Sequence, residues 1–295
     1  MTGPVLAAAA GLGFGVFQTL NRRAVGGMSD AYLATFLQLL VALAVLAAAT
    51  VATEDVGMLG DAPLSAIVWF ALAGLVHFTA GWTFLNMSQM RIGAARTSPL
   101  LATNPVWGAL IAAALLGELP RFVAWVGIAV VLAGAVLVSL ERMHEIGWGI
   151  GFRDAVPGLA AAFAWSISPI CIKEGLEGMD SPLLGLTLGM TVAIVAYAAL
   201  LPLRPRPEDP RLGALSALLF KLAAGVMVGF SVWARWLSLE TTAVAVVLAL
   251  GLLSVPVVLL LSPVLMGRHV ERVTALVWAG GALVVAGGLL LVLVG

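Results

Sequence analysis

The sequence predicts an all-α transmembrane fold of ten helices, arranged as two inverted five-helix repeats. Three observations predict it: a composition that only lipid can solvate, ten apolar segments of spanning length, and a self-match at one constant offset. Of the 295 residues, 62% are hydrophobic and 10% are charged. A soluble domain carries about a quarter charged residues, so most of this surface must face hydrocarbon. Formal net charge is zero, which points to no nucleic acid and no acidic partner. The single cysteine, Cys171, excludes an intrachain disulfide, and no zinc or iron–sulfur spacing is present. No metal or cofactor is expected.

A span needs about 20 apolar residues. Charge clusters and Gly/Pro punctuation delimit segments at 3–20, 31–53, 65–89, 93–116, 121–140, 154–172, 182–203, 213–238, 242–266 and 272–294. The first lacks a basic leader and is expected to be retained rather than cleaved. These are continuous apolar runs, not the alternation of a membrane barrel. Connecting segments are short. The longest runs from about Glu141 to Arg153 and the next, Arg204 to Arg211, is proline-rich. Neither has room for a soluble domain, so function must sit in the bundle. Small residues at helical spacing, such as Gly11 and Gly15 or Gly185 and Gly189, permit close backbone approach in lipid.

Sliding the chain on itself by 151 residues aligns Gly27-Met28 with Gly178-Met179, Ser65-Ala66 with Ser216-Ala217, Gly74 with Gly225, Trp82 with Trp233, and Pro105 with Pro256. After a two-residue slip, Trp125, Gly127 and Gly134 meet Trp278, Gly280 and Gly287. The expected units are 1–145 and 150–295. Each holds five spans. Five is odd, so the second copy enters the membrane from the opposite side, and the repeat is inverted. Inverted repeats are a common construction of secondary transporters, with the site near the midplane between the halves.

Ten spans in an inverted duplication, with Ala94-Ala95 opening a span, Asn104-Pro105 within it, Leu116-Gly117-Glu118 at its end and Trp125-Val126-Gly127 beyond, resemble the EamA-domain branch of the drug/metabolite transporter superfamily. The resemblance covers nearly the whole chain. It implies export or exchange of small metabolites, and a cavity lined by spans 1, 3, 4, 6, 8 and 9. The second copy departs from the pattern: Met266-Gly267-Arg268-His269 stands where a Gly-Glu pair is common. The small multidrug branch couples protons through a glutamate deep in its first helix. Here that helix carries Gln18, and its repeat mate is Pro169.

Positive residues mark cytoplasmic ends. On the side of both termini lie Arg121, Lys173 and Arg235; on the other lie eleven arginines, among them Arg22, Arg23, Arg91, Arg96, Arg204 and Arg268. The split places both termini outside the cytoplasm of a cell (inner or plasma) membrane.

Polar residues at membrane depth are costly and usually face a cavity or a partner. No aspartate lies deep in a span, and Glu174 and Glu240 approach membrane depth most nearly. His77 stands at the centre of span 3, either bonded to a backbone carbonyl or lining a cavity, where it would be the candidate for proton coupling. Lys221, within span 8, either snorkels to water or holds an anionic group of the solute. Arg96 precedes a polar stripe of Thr97, Ser98, Thr103 and Asn104 in span 4. Pro105 and Pro256, at equivalent positions, mark either packing kinks or the paired interruptions that accompany a site. Trp82 and Trp233, which are repeat mates, and Trp165 beside Ser166 and Ser168, either pack or wall an apolar solute.

The expected protein is a monomeric alternating-access carrier in the lipid bilayer. Its solute is a small metabolite, an amino acid or similar zwitterion or organic anion, exported or exchanged. Expected solute-binding residues are His77, Trp82, Arg96, Ser98, Asn104, Trp165, Ser168, Lys221 and Trp233; no catalytic residue is expected. The alternatives are an intramembrane enzyme using His77 and a passive channel.

Overall fold

The computed structural model describes residues 2–25, 30–85, 87–88, 100–117, 121–146, 152–203, 215–266 and 274–294. Arg96 and Ser98 lie outside the described residues. Among those described there is no β-strand. The helices are α1 (Thr2–Val25), α2 (Ala31–Thr53), α3 (Leu64–Gly74), α4 (Asn104–Leu115), α5 (Phe122–Ile146), α6 (Phe152–Gly178), α7 (Pro182–Leu200), α8 (Leu215–Leu239), α9 (Val244–Leu250), α10 (Ser254–Met266) and α11 (Ala275–Val294). Seven of the described helices are long and apolar enough to cross a membrane. Three shorter apolar ones, Asn104–Leu115, Phe122–Leu137 and Val244–Val258, occupy the remaining predicted spans 4, 5 and 9. The all-helical, ten-helix, two-repeat architecture expected from the sequence is therefore present.

Local chemistry repeats with the sequence. Asp30 caps α2, its carboxylate accepting from the Leu33 N–H at 3.0 Å. Its repeat mate Ser181 caps α7, the hydroxyl accepting from the Leu184 N–H at 3.2 Å. In both, a short polar side chain satisfies an orphan amide of the first turn, and Pro182 pre-sets the first helical residue of α7. At the other end of α4, Gly117 takes φ +66°, the left-handed conformation that closes a helix and favours glycine.

Packing also maps onto itself when the halves are exchanged. α1 lies along α8 as α3 lies along α6; α2 meets α8 as α3 meets α7; α1 meets α10 as α4 meets α6. The pairs α5–α11 and α2–α7 each join equivalent helices, and α4–α9 joins the equivalent spans 4 and 9. Glycine sets the closest of these crossings. A Cβ on Gly74 would stand 1.9 Å from the Gly189 carbonyl oxygen, so α3 and α7 touch backbone to backbone. The mate of this crossing is Gly225 against Val41 and the Gln38 carbonyl, between α8 and α2.

Two departures from regular helix lie near the middle of the bundle. α3 continues into a π-helical segment, Leu75–Gly81, which contains His77. Such wide turns are rare and concentrate at functional sites. Spans 4 and 9 break at equivalent places. Ala102 and Thr103 form a turn before α4, and a 3-10 turn, Gly251–Leu253, separates α9 from α10. Pro105 therefore opens a helix instead of kinking one, because its missing N–H falls among the first-turn amides that have no intrahelical partner.

Candidate solute site

The π segment turns His77 into the α3–α6 interface, where it is 3% exposed. His77 Nδ1 lies 2.8 Å from Ser168 Oγ. The Trp165 indole N–H donates to the His77 carbonyl at 3.1 Å. Its ring stacks on the imidazole at 5.9 Å, and Phe78 meets the imidazole edge-on at 4.7 Å. Gly81 gives Trp165 its place: a Cβ there would lie 2.3 Å from Nε1. Trp82 meets Phe78 edge-on at 6.1 Å and stacks on Phe17 at 5.7 Å, which extends this aromatic wall to α1. Next to Trp165 on α6, Ser166 Oγ has three acceptors in range: the Asn104 carbonyl at 3.0 Å, Asn104 Oδ1 at 3.2 Å and the Ala162 carbonyl at 2.7 Å. α6 thus presents Trp165, Ser166 and Ser168 to the π segment of span 3 and to the break in span 4.

Of the sequence-expected residues, His77, Ser168, Trp165, Trp82 and Asn104 are brought to one region. Trp233 is partly buried and packs against the core elsewhere on α8. Lys221 forms a second, separate polar site. It is 3% exposed, and its ammonium donates to the Asn21 side-chain oxygen and, at 2.8 Å, to Gln38 Oε1. A snorkelled lysine would reach water; this one is clamped between α1 and α2.

Arg235, counted with the cations on the side of the termini, falls within predicted span 8. It lies inside α8, its Nη2 atom buried and without a hydrogen-bond partner, and its charge is close enough to act on His77. Its direction was not legible, because position along an apolar run does not report which way a side chain points about the helix axis. The partners Asn21 and Gln38 were also missed. Their amides carry no formal charge and stand out little in an apolar helix.

Outside the spans, the α8–α9 turn brings Glu240 near other acids. Its carboxyl is held above the usual carboxylate range, first by burial and then by repulsion from Asp180 and Glu54. Glu54 Oε2 also accepts from the Ser181 hydroxyl at 2.8 Å. Among the described residues no cluster of His, Cys, Asp and Glu could hold a metal.

Sequence comparison matches the EamA-like transporter family twice along this chain, at residues 1–140 and 155–293. A probable terminal-alkyne amino-acid exporter of Streptantibioticus cattleyicolor is 29% identical over 140 residues, 46% of this chain and 43% of that protein. A chloroplastic phosphoenolpyruvate/phosphate translocator 3 of Oryza sativa subsp. japonica is 27% identical over 123 residues, 42% of this chain and 30% of that protein. This chain thus aligns with less than half the length of these curated relatives. A solved crystal structure superposes with a TM-score of 0.72 over 95% of this chain and 94% of its own, at 22% identity, a likeness that speaks for the fold alone.

Proposed function

Because this chain belongs to the EamA-like transporter family, we propose that it is a secondary carrier of a small zwitterionic or anionic metabolite, working by alternating access around the His77 region. One observation carries this most: the π segment of span 3 and the broken span 4 both meet the same stretch of α6, at Ser168 and at Ser166, between the two repeats. Discontinuous helices meeting between inverted repeats are the usual setting of a carrier's central site. Aromatic rings around a few aimed polar groups suit a solute with an apolar body and a polar head. Both curated relatives are named for moving small metabolites, an amino acid in one case and phosphoenolpyruvate and phosphate in the other. The proposed solute set is His77, Trp82, Asn104, Trp165 and Ser168, with Arg96, Ser98 and Trp233 as further members. The proposed repeat units are 1–145 and 150–295, and the proposed assembly is a monomer in a cell membrane.

The test is counterflow in proteoliposomes. Vesicles loaded with a millimolar unlabelled amino acid should accumulate the same labelled amino acid transiently and saturably. Linear uptake without a transient would support a channel instead.

The Ser168–His77 contact also has the length of a nucleophile–base pair. A hydrolytic enzyme needs in addition a group that orients the base, and none of the described contacts of His77 is a carboxylate. A fluorophosphonate probe should therefore leave Ser168 unlabelled; covalent labelling at Ser168 would favour the enzyme.

A further inference from the structure

One end of α8 holds buried donors that the protein leaves without acceptors. Arg235 Nη2, Trp236 Nε1 and Thr242 Oγ1 all lack a hydrogen-bond partner. Guanidinium and indole groups only donate, so they cannot satisfy one another. A buried donor without an acceptor costs about 1–3 kcal/mol, and more when it is charged. Arg235 is the charged member, and no carboxylate among the described residues acts on it. Lys221 makes an instructive contrast. It lies two heptads earlier on the same face of α8, about 21 Å away along the axis, and is satisfied by two amide oxygens.

Among the described residues, Arg235 is a cation whose charge reaches the aromatic wall. Its charge acts on His77, and that ring stacks on Trp165 and meets Phe78 edge-on. A guanidinium offers a planar fork that matches the two oxygens of a carboxylate or phosphate. The rings beyond it offer apolar surface.

We propose that Arg235 is the oxyanion receptor of the central site: it holds a carboxylate or phosphate of the solute while the solute's apolar body lies against Trp165, the partly exposed ring of the wall. This rests on the carrier reading for its purpose, and its binding chemistry is tested separately. The purified protein is titrated in detergent with L-phenylalanine, 3-phenylpropionate, L-phenylalaninamide, phosphoenolpyruvate and inorganic phosphate. The first two share a carboxylate and a ring, the amide lacks the carboxylate, and the last two carry phosphate.

Wild-type protein should bind the carboxylates or the phosphates saturably and bind the amide weakly. Arg235→Gln should lower affinity for the preferred oxyanion by at least about tenfold, the 1.4 kcal/mol scale of one charge-assisted bond. Affinity for the amide should not change. Arg235→Lys should recover part of the loss, which keeps the test decisive if the Gln variant folds poorly. Carboxylate preference assigns the head group of an amino-acid-like solute, and phosphate preference that of a phosphorylated one. Unchanged oxyanion affinity in Arg235→Gln overturns the proposal, as does a wild type that binds none of the four oxyanions. Arg235-dependent binding without counterflow would sink the carrier reading and leave this assignment standing. Counterflow of a solute that Arg235→Gln transports normally would do the reverse.

Discussion

Replacing Lys221 by methionine separates a clamp from a ligand site. The side chain keeps its reach but loses the ammonium, which bridges the Asn21 oxygen on α1 and Gln38 Oε1 on α2. Two amide oxygens would be left in a region where Gln38 is 1% exposed and its Nε2 already has no partner. At about 1–3 kcal/mol for each orphaned group, the gross loss is about 2–6 kcal/mol. Against it stands the desolvation of a buried ammonium, a cost that methionine does not bear. What remains after the substitution is neutral, so the usual penalty of a stranded charge is absent. The net effect expected is a loss of about 1–3 kcal/mol, or a fall in Tm of about 2–10 °C. A double-mutant cycle with Gln38→Leu isolates the bond: the pair should recover at least about 1 kcal/mol relative to the sum of the singles. The assay is thermal unfolding of detergent-purified protein followed by size-exclusion or tryptophan fluorescence. An increased Tm for Lys221→Met, or strict additivity with Gln38→Leu, would refute the clamp. An unchanged Tm with anion affinity reduced about 10- to 150-fold would restore Lys221 to the solute site.

Gly74→Ala forces a Cβ onto the Gly189 backbone and should cost about 1–3 kcal/mol or more; Gly60→Ala, with no atom within 4 Å, should leave Tm unchanged, and equal effects would refute the backbone crossing. His77→Ala removes the bond to Ser168 and should lower counterflow about tenfold, since one buried hydroxyl is left unpaired at about 1–3 kcal/mol; wild-type counterflow in this variant would remove His77 from the site. Because the Glu240 carboxyl titrates above its ordinary range, its ionised form opposes folding at neutral pH, and stability is gained as pH falls through the folded-state value. Glu240→Gln should accordingly raise Tm at pH 7.5 and lose that advantage as the pH is lowered, whereas an advantage independent of pH would deny the repulsion. A green fluorescent protein fused after Gly295 should stay dark if the termini face away from the cytoplasm, and bright fusions would reverse the orientation.

The fold was legible because its signals are long and redundant. Ten apolar segments survive an error of several residues at any end, and the 151-residue offset recurs in residues as different as Trp82 and Pro105. Even the caps keep the offset, with Asp30 and Ser181 doing one job through different side chains. The site was legible where an unusual residue sits at mid-span, as His77 and the Trp165–Ser168 stretch do. It was not legible where chemistry depends on rotation about a helix axis. Arg235 sits four residues from the end of α8, and sequence position alone does not separate an arginine at the water boundary from one turned into the bundle. Nor does composition mark Asn21 and Gln38, since the hydrogen bonds that make them matter come from a lysine 200 and 183 residues away.

Two buried polar contacts use equivalent helix interfaces in non-equivalent ways. His77–Ser168 joins α3 to α6, and Lys221–Asn21 joins α8 to α1, the same pair after exchange of halves. Yet the repeat mate of His77 is Val228, and that of Lys221 is Phe70, packed on Gly175 and Gly185. The backbone is therefore near-symmetric while the latches are not. For a carrier that opens one interface and then the other, a symmetric scaffold makes the two openings similar in cost, and the difference between latches sets the bias. A hydrogen bond from a charged group contributes about 1.5–3 kcal/mol and a neutral one about 0.5–1.5 kcal/mol. Their difference, about 1–2 kcal/mol, corresponds to a population ratio of roughly 5 to 30. In a carrier of the proposed kind, a bias of that size would be small enough for a bound solute to reverse through modestly different affinities for the two states, and large enough to leave the empty carrier mostly in one of them.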